Sequence, residues 1–269
     1  MSIAEKLQTI AENEQRVYDA GFAAGQNAGS GYDEGFEAGK QAEYDRYWDA
    51  YQQNGVVKSY QYSFAGNGWN DETFKPKYDI VLGSGYGGGS VFHQSHIKNI
   101  AEALEKQGVR LDTSRCNVFS SMFNTAKTVR VPELDFRNAY GYPTSAQYVF
   151  SQATNLVTID KLIISRYVQF IQAFNACTSL ENITIEGEIC YDFDIHWSTK
   201  LSKASIVSIM NSALEGARYN PNDGFTVTFS LDAVNKAYET SEGANDGSTS
   251  QEWIDEVNLE YRYHYTVLS

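Results

Sequence analysis

Cysteine is scarce in this chain, three in 269 residues. The odd number and scattered spacing of Cys116, Cys177 and Cys190 exclude a disulfide frame and a zinc knuckle, so they read as reduced packing residues. Basic residues are also few: Lys and Arg number 21 against 34 Asp and Glu, a net charge of −13. No basic stripe is present to release counterions from a phosphate backbone, which excludes nucleic-acid binding. The same deficit excludes an anionic membrane surface. No apolar run approaches the length of a transmembrane helix. The opening Met-Ser-Ile-Ala-Glu-Lys has no apolar core of the signal-peptide kind, so the expectation is synthesis in a cytoplasm without export by that route. Gly-x-Ser-x-Gly, His-Glu-x-x-His and EF-hand patterns are all missing, and with them the common signatures of hydrolytic and metal chemistry.

What the chain has is aromatic mass and a repeat. Nineteen Tyr and fourteen Phe supply core volume and amphipathic rings for interfaces. Three segments share one pattern: Phe123-Asn-Thr-Ala126-Lys-Thr-Val129, Phe150-Ser-Gln-Ala153-Thr-Asn-Leu156 and Phe174-Asn-Ala-Cys177-Thr-Ser-Leu180. Each runs Phe, small residue at the third position on, branched aliphatic at the sixth. Short alternating strands follow, carrying Leu134 and Phe136, Leu162 and Ile164, Ile183 and Ile185. The phenylalanines lie 27 and 24 residues apart, within the period range of leucine-rich repeats. One turn plus one strand cannot bury its own apolar face, so neighbours must stack. Strand alternation then buries Leu162, Ile164, Phe174, Leu180, Ile183 and Ile185 in one stack and turns Ile163, Thr184 and Glu186 outward. With Asp135 and Arg137, the outward residues Ile163, Thr184 and Glu186 form the candidate binding surface.

Residues 1–53 read differently. Ile3, Leu7, Ile10, Glu14, Val17, Gly21, Ala24, Ala28, Gly31, Gly35, Ala38 and Ala42 step by four and three in heptad fashion, with small residues replacing large ones after Val17. Tyr18-Asp-Ala-Gly-Phe-Ala-Ala-Gly25 recurs as Tyr32-Asp-Glu-Gly-Phe-Glu-Ala-Gly39, a 14-residue period equal to two heptads. Each interior Gly costs about 1 kcal/mol relative to Ala in a helix, so a flexible leader is one reading. The other is a helical stalk whose small residues let neighbouring helices approach. Its candidate interface is Ile3, Leu7, Ile10, Val17, Gly21, Ala24, Ala28, Gly35 and Ala42. A closed symmetric oligomer, such as a trimer, would cover that stripe, and docking into another protein is the runner-up.

Residues 54–92 read as an aromatic, Gly-rich linker with a hairpin signal at Gly66 to Asn70, Trp69 and Phe74 anchoring it to the first repeat. Within it Gly83-Ser-Gly85-Tyr-Gly-Gly88 spells a dinucleotide-binding pattern. Ile80-Val-Leu82 precedes it, a helical pattern from Ile97 to Gln107 follows, and Asp112 ends the next strand. That reading is weak because the helical pattern starts well after the glycines and no second half-fold follows. His93 and His96 are a pair without a third ligand, His196 and His264 stand alone, and Asp192 and Asp194 bracket Phe193 on a strand's solvent face. None is assigned a catalytic, cofactor or metal role. After residues 93–195, the repeat solenoid, comes a capping unit over 196–269. It comprises a helix from Lys203 to Leu214 capped by Ser202 with Ile206, Ile209, Met210 and Ala213 inward, a strand Phe225–Phe229 and a helix Leu231–Tyr238. A helix near Trp253–Val257 and a strand Tyr261–Val267 close it. The fold class expected is therefore α/β: a short leucine-rich-repeat-like solenoid with an N-terminal helical stalk and an α+β C-terminal cap.

The phrases Phe174-Asn-Ala-Cys-Thr-Ser-Leu-Glu-Asn-Ile-Thr-Ile-Glu-Gly, Trp197-Ser-Thr-Lys-Leu-Ser-Lys-Ala-Ser-Ile and Phe225-Thr-Val-Thr-Phe-Ser resemble BspA-type leucine-rich-repeat proteins, more narrowly those of phages and prophages of gut Firmicutes. Ile3-Ala-Glu-Lys-Leu-Gln-Thr-Ile-Ala-Glu-Asn and Gly68-Trp-Asn-Asp-Glu-Thr-Phe-Lys-Pro-Lys-Tyr-Asp79 are similar to the same group. The resemblance implies a non-enzymatic virion structural protein, a fibre or host-attachment component located in the virion. Its partners would be itself or another virion protein through the stalk, and a host cell-surface ligand through the repeats. A prophage-encoded bacterial adhesin or an intracellular binding module is the alternative. The Gly83–Gly89 run and Tyr261-Arg-Tyr-His-Tyr265 depart from the group's pattern.

Overall fold

The computed structural model describes residues 52–53, 56–59, 63–83, 86–139, 145–219, 225–239 and 264–268. The chain divides into two units, 1–54 and 55–269. Of the first, only the strand β1 (Gln52–Gln53) is described. The stalk interface expected at Ile3, Leu7, Ile10, Val17, Gly21, Ala24, Ala28, Gly35 and Ala42 lies outside the described residues.

The second unit is mixed α/β, with small parallel sheets and three helices among its described residues. In the first sheet β3 (Asp79–Leu82) lies between β2 (Val56–Ser59) and β4 (Leu111–Asp112), with α1 (Ile100–Gln107) in the connection. In the second, β7 (Thr158–Ile163) pairs on one side with β5 (Arg130–Val131) and β6 (Leu134–Asp135), and on the other with β8 (Asn182–Glu186). In the third, β10 (Thr226–Ser230) runs between β9 (Phe193–Asp194) and β11 (His264–Leu268). The helices α2 (Lys203–Tyr219) and α3 (Leu231–Glu239) flank β10 in sequence.

Opposite the strands, the chain repeats a turn whose hydrogen bonds follow one rule. The N–H groups of Ser90, Phe92 and Gln94 donate to the carbonyls of Ser120, Met122 and Asn124 one coil later. Those of Ser121, Phe123 and Thr125 donate to Gln147, Val149 and Ser151, and those of Tyr148, Phe150 and Gln152 to Ile171, Ala173 and Asn175. Alternate peptide groups stay within the coil as i to i+3 turns, such as Asn124 N–H to Ser121 and Ala126 N–H to Phe123. This arrangement needs left-handed backbone two residues before and after each Phe. Eight non-glycine residues have it: Ser90, Gln94, Ser121, Thr125, Tyr148, Gln152, Gln172 and Ala176, with φ between 51° and 59°. Each such position costs about 1–2 kcal/mol for a residue with a Cβ. The bonds to the neighbouring coil hold it in place.

The rings follow from that ladder. Residues one coil apart are separated by about the inter-strand distance of 4.7–4.9 Å, so equivalent Phe side chains must stack. Phe64, Phe92, Phe123, Phe150 and Phe174 do so, with centroids 5.3, 5.1, 5.6 and 5.4 Å apart in turn and planes within 23°. A second column, Phe119, Phe136 and Phe170, meets the first at Phe193, which lies 5.6 Å from Phe170 and 5.2 Å from Phe174. The small residue three positions after each Phe closes the turn against its carbonyl, and Ala126, Ala153 and Cys177 are all buried. Burial pushes the Cys177 thiol up to about 12 and that of Cys116 to about 11, which keeps both protonated and unreactive.

The alternation places Leu162, Ile164, Phe174, Leu180, Ile183 and Ile185 in the core, while Thr184 and Glu186 are exposed and Ile163 half-buried. Several boundaries differ from the sequence reading. Within the segment expected to be a linker, Phe64 and Gly66 donate to Val91 and His93, and Phe64, Phe74, Ile80 and Leu82 are buried, so these residues pack into the stack. The repeat also continues past 195. Ile195, Ser198 and Leu201 occupy the Phe, small and aliphatic places, all buried, with Ser198 N–H bonded to Ile195 and Leu201 N–H to Ser198. In the first repeat Val129 is exposed, because its N–H is drawn to the Lys98 carbonyl and Thr128 turns inward instead. Helix α1 begins at Ile100, after Ile97, and α2 runs to Tyr219. The helix expected near Trp253–Val257 lies outside the described residues.

Helix α2 closes the free edge of β8. An edge strand presents unpaired N–H and C=O groups, and α2 answers them with serines spaced three and four apart, hence on one face. Ser205 Oγ accepts from Ile183 N–H at 2.9 Å and donates to the Glu181 carbonyl at 3.0 Å. Ser208 Oγ accepts from Ile185 N–H at 2.8 Å, and Ser212 Oγ donates to Gly187 at 2.7 Å. Gly216 permits the contact, since a Cβ there would lie 1.8 Å from the Ile189 carbonyl oxygen.

Two outcomes follow for chemical denaturation. Phe174→Ala should lower stability by about 3–5 kcal/mol as a buried ring deletion, and a loss well under 1 kcal/mol would contradict the stack. Gln152→Gly should raise stability by about 0.5–1 kcal/mol by relieving the left-handed backbone, whereas Gln152→Val should lower it by about 1–3 kcal/mol. The reverse order would show that this backbone is unstrained.

Candidate functional site

The candidate surface lies on the outer strand face. Asp135 on β6 sits opposite Ile163 on β7, and Ile163 opposite Glu186 on β8, so these three form one row across the sheet. Thr184 is on the same face of β8, two residues back, and Arg137 follows β6. The structure therefore brings the sequence-derived set together, but most of its charge is already engaged. Arg137 grips Asp135, with Nη2 at 2.6 Å from Oδ2 and Nε at 3.0 Å from Oδ1. The Asp135 backbone N–H is bound by Thr113 Oγ1 at 2.5 Å.

A bulge explains the rest of the face. Between Ile159 and Leu162 the register of β7 against β8 shifts, which turns both Asp160 and Lys161 away from the core. Across the gap Pro132 and Glu133 separate β5 from β6, as expected of a residue without a ladder donor. Lys161 Nζ then spans three coils, 2.9 Å from Glu133 and 3.2 Å from Glu186. Arg130 holds Asp160 at 2.7 Å and Glu105 at 2.8 Å, and Arg110 holds Asp79 at 3.0 Å. Exposed pairs of this kind add little to stability because solvent screens them, and they tie neighbouring coils together across the face. Asp160, Lys161 and Arg130 were missed in the sequence because strict alternation has no place for a bulge.

Burial alone would push the Asp135 carboxyl up, but hydrogen bonds and charge from Arg137 outweigh it and hold the group below 3.8. The backbone N–H of Arg110, chiefly, holds Asp79 below the same value. Glu133, then Glu186, raise Lys161, and Asp160, then Glu105, raise Arg130.

Within the glycine run, Gly88 is fixed by packing. A Cβ on Gly88 would lie 2.7 Å from Cys116 Sγ and 2.8 Å from the Val118 carbonyl oxygen, so the backbone there lies against the next coil. Strands β3 and β4 are parallel with α1 between them, and the N–H groups just before the helix are taken by protein: Asp71 Oδ1 accepts from Lys98 and Asn99 at 2.8 and 3.1 Å. Asp112 accepts from the N–H and hydroxyl of Ser114. A cleft of about 220 Å³ lies between residues 71–75 and α1. His96 takes the Trp69 carbonyl through its backbone N–H, and His93 leaves Nδ1 buried without a partner, as do the Ser95 and Ser165 hydroxyls. His196, which stands alone in the sequence, is paired: its Nδ1 lies 2.6 Å from Asp194 Oδ1. Asp192 accepts from Thr226 N–H. Among the described residues no cluster of three His, Cys, Asp or Glu could hold a metal, and no helix is long and apolar enough to cross a membrane.

No protein-family model, curated protein or solved structure matches the chain.

The acid lability of the fold should follow these pairs. Asp79 and Asp135 have folded values below 3.8, so their contribution is present above the unfolded value and is lost as pH falls below it. Urea midpoints should decline below about pH 4, and Arg137→Met should make that decline shallower by removing the partner of Asp135. An unchanged pH profile in the variant would refute this assignment.

Proposed function

We propose that the chain is a non-enzymatic virion structural protein of the BspA-like, leucine-rich-repeat kind. It would act as a fibre or attachment component that offers a repeat surface to a host ligand or a neighbouring virion protein. The finer fold reading belongs with this: the stacked coils form a short solenoid, residues 1–53 form a helical stalk, and the C-terminal segment caps the stack. The observation that carries the reading is the recurrence of one coil in one register, with its phenylalanine ladder and alternate-peptide bonding. Such a stack grows by adding surface. The outer face supports a binding role, since its row of Asp135, Ile163 and Glu186 is exposed or half-buried and bordered by ion pairs that span coils. Its net charge of −13 favours a partner that is neither nucleic acid nor anionic membrane.

The direct test is mass spectrometry of purified phage particles, in which the chain should be found among the structural proteins. Its absence from particles while abundant in lysogenic cells would favour the adhesin or intracellular module. The stalk has its own outcome. Light scattering should show the full-length protein as a closed oligomer, a trimer being expected, and Leu7→Asp with Ile10→Asp should release folded monomer. A monomeric wild type would remove self-association, and an oligomer that survives both substitutions would place the contact in the stack.

A further inference from the structure

We infer that Asn67 is a site of spontaneous covalent modification. Its side-chain amide is hydrolysed through a cyclic imide formed with the backbone nitrogen of Gly68, which leaves aspartate or isoaspartate at position 67. The reactants are the protein's own amide and water, so the chemistry is independent of the attachment reading above.

Ring closure needs a side-chain amide free to turn, a following peptide nitrogen without a partner, no Cβ crowding that nitrogen, and access for water. Asn67 and Gly68 meet each condition. They are the central residues of a surface turn, both exposed. The turn is closed by the Trp69 N–H on the Gly66 carbonyl at 3.4 Å, a long bond that holds the residues between only weakly. Among the described residues neither the Asn67 amide nor the Gly68 N–H has a hydrogen-bond partner. The Gly68 carbonyl takes the Thr73 hydroxyl at 3.1 Å, which leaves the nitrogen untouched. Gly68 has no Cβ to shield its nitrogen, and no atom lies within 4 Å of the place where one would stand.

The same chemistry is closed to the other asparagines, because none that is described precedes a glycine. Asn70 is held as well: its Oδ1 accepts from the N–H groups of Glu72 and Thr73 at 2.9 and 3.2 Å. Asn117 and Asn138 spend their Nδ2 groups on the carbonyls of Asn138 and Ser114. Asn155 and Asn182 are exposed like Asn67 but are followed by Leu156 and Ile183, and the Ile183 N–H is already bound to Ser205 Oγ.

In the step itself the Gly68 nitrogen bonds to Asn67 Cγ, the Cγ–Nδ2 bond breaks, and Nδ2 leaves as ammonia with the proton from the Gly68 N–H. Water then adds to one carbonyl of the imide. Opening at Cγ restores the normal backbone with a carboxylate side chain, and opening at the backbone carbonyl routes the chain through Cβ and Cγ. Either product adds a negative charge. The second also lengthens the backbone between two bonds that tie the turn to the next coil, Gly66 N–H to the His93 carbonyl at 2.8 Å and His96 N–H to the Trp69 carbonyl at 2.9 Å. It therefore strains both bonds and the edge-on contact of Trp69 with Phe64, whose centroids lie 5.2 Å apart.

The test incubates the folded full-length protein in mildly alkaline buffer, beside the same protein in urea, and follows both by peptide mapping with mass spectrometry. The folded protein should convert the amide at position 67 to a mixture of aspartate and isoaspartate, at a rate close to that of the unfolded chain. The amides of Asn70, Asn155 and Asn182 should stay intact meanwhile. Gly68→Ala should lose the conversion and still fold, since the added Cβ meets open space, and Asn67→Gln should lose it as well. Amide exchange at Gly66 and His96 should quicken in the aged wild type and not in aged Gly68→Ala. An amide at position 67 that survives in the folded protein after the urea sample has converted would overturn the inference. So would conversion indifferent to Gly68→Ala, or equal conversion at Asn155 or Asn182.

Discussion

Every second peptide group on the turn face accepts from the coil before it and donates to the coil after it, and most other features follow from that alignment. The peptide joining Met122 and Phe123 takes the N–H of Phe92 and gives to Val149, and the peptide joining Val149 and Phe150 takes that bond and gives to Ala173. Parallel orientation of alternate peptides requires left-handed residues on either side of each Phe, which are present at eight non-glycine positions. It fixes the distance between coils, which makes the rings stack about 5 Å apart, and it buries the small residue three positions on. Backbone strain, ring stacking and the Ala, Cys or Ser slot are three consequences of one hydrogen-bonding pattern.

Aligned ladders have ends, and the chain treats its two ladders differently. At the strand face, β8 is closed by the hydroxyls of Ser205 and Ser208 on α2, which substitute for the missing neighbouring strand. A helix can do this only because Gly216 lets it approach Ile189. At the turn face no acceptor serves the N–H groups of Gln172, Phe174 and Ala176 among the described residues. The stack is sealed on one face, and on the other its ladder of alternate peptides ends at the coil of Phe174.

The repeat was legible because apolar identity sets it: Phe at one place, a small residue three on, an aliphatic six on, then alternation. The coils at Phe92 and Ile195 were harder to see because Lys98 and Ile195 break the pattern at one position each, although Ser95 and Ser198 keep the small slot. The left-handed positions carry Ser, Gln, Thr, Tyr and Ala, with no Gly or Asn to announce them, since the cross-coil bonds and not local preference impose the geometry. The bulge at Asp160 and Lys161 and the serine face of α2 depend on which strand lies opposite, and single-sequence periodicity has no access to that. The ion pairs of Asp135 and Glu186 depend on the same neighbours. The outward placement of Asp135, Ile163, Thr184 and Glu186 needed only alternation, and it was readable. Gly88, in the run that spells a phosphate loop, is a case where close backbone approach demands glycine for another purpose; what it approaches is Cys116 and Val118.

Amide hydrogen exchange, residue by residue, tests the central claim most directly. The N–H groups of Phe92, Gln94, Phe123, Thr125, Phe150 and Gln152 should be among the slowest in the protein and should open together, as one cooperative unit. Gln172 and Ala176, at the same places in the terminal coil, should exchange far faster. Fast exchange at Phe92, Phe123 and Phe150, or protection at Gln172 equal to that at Gln152, would contradict a stack held together by alternate peptide groups.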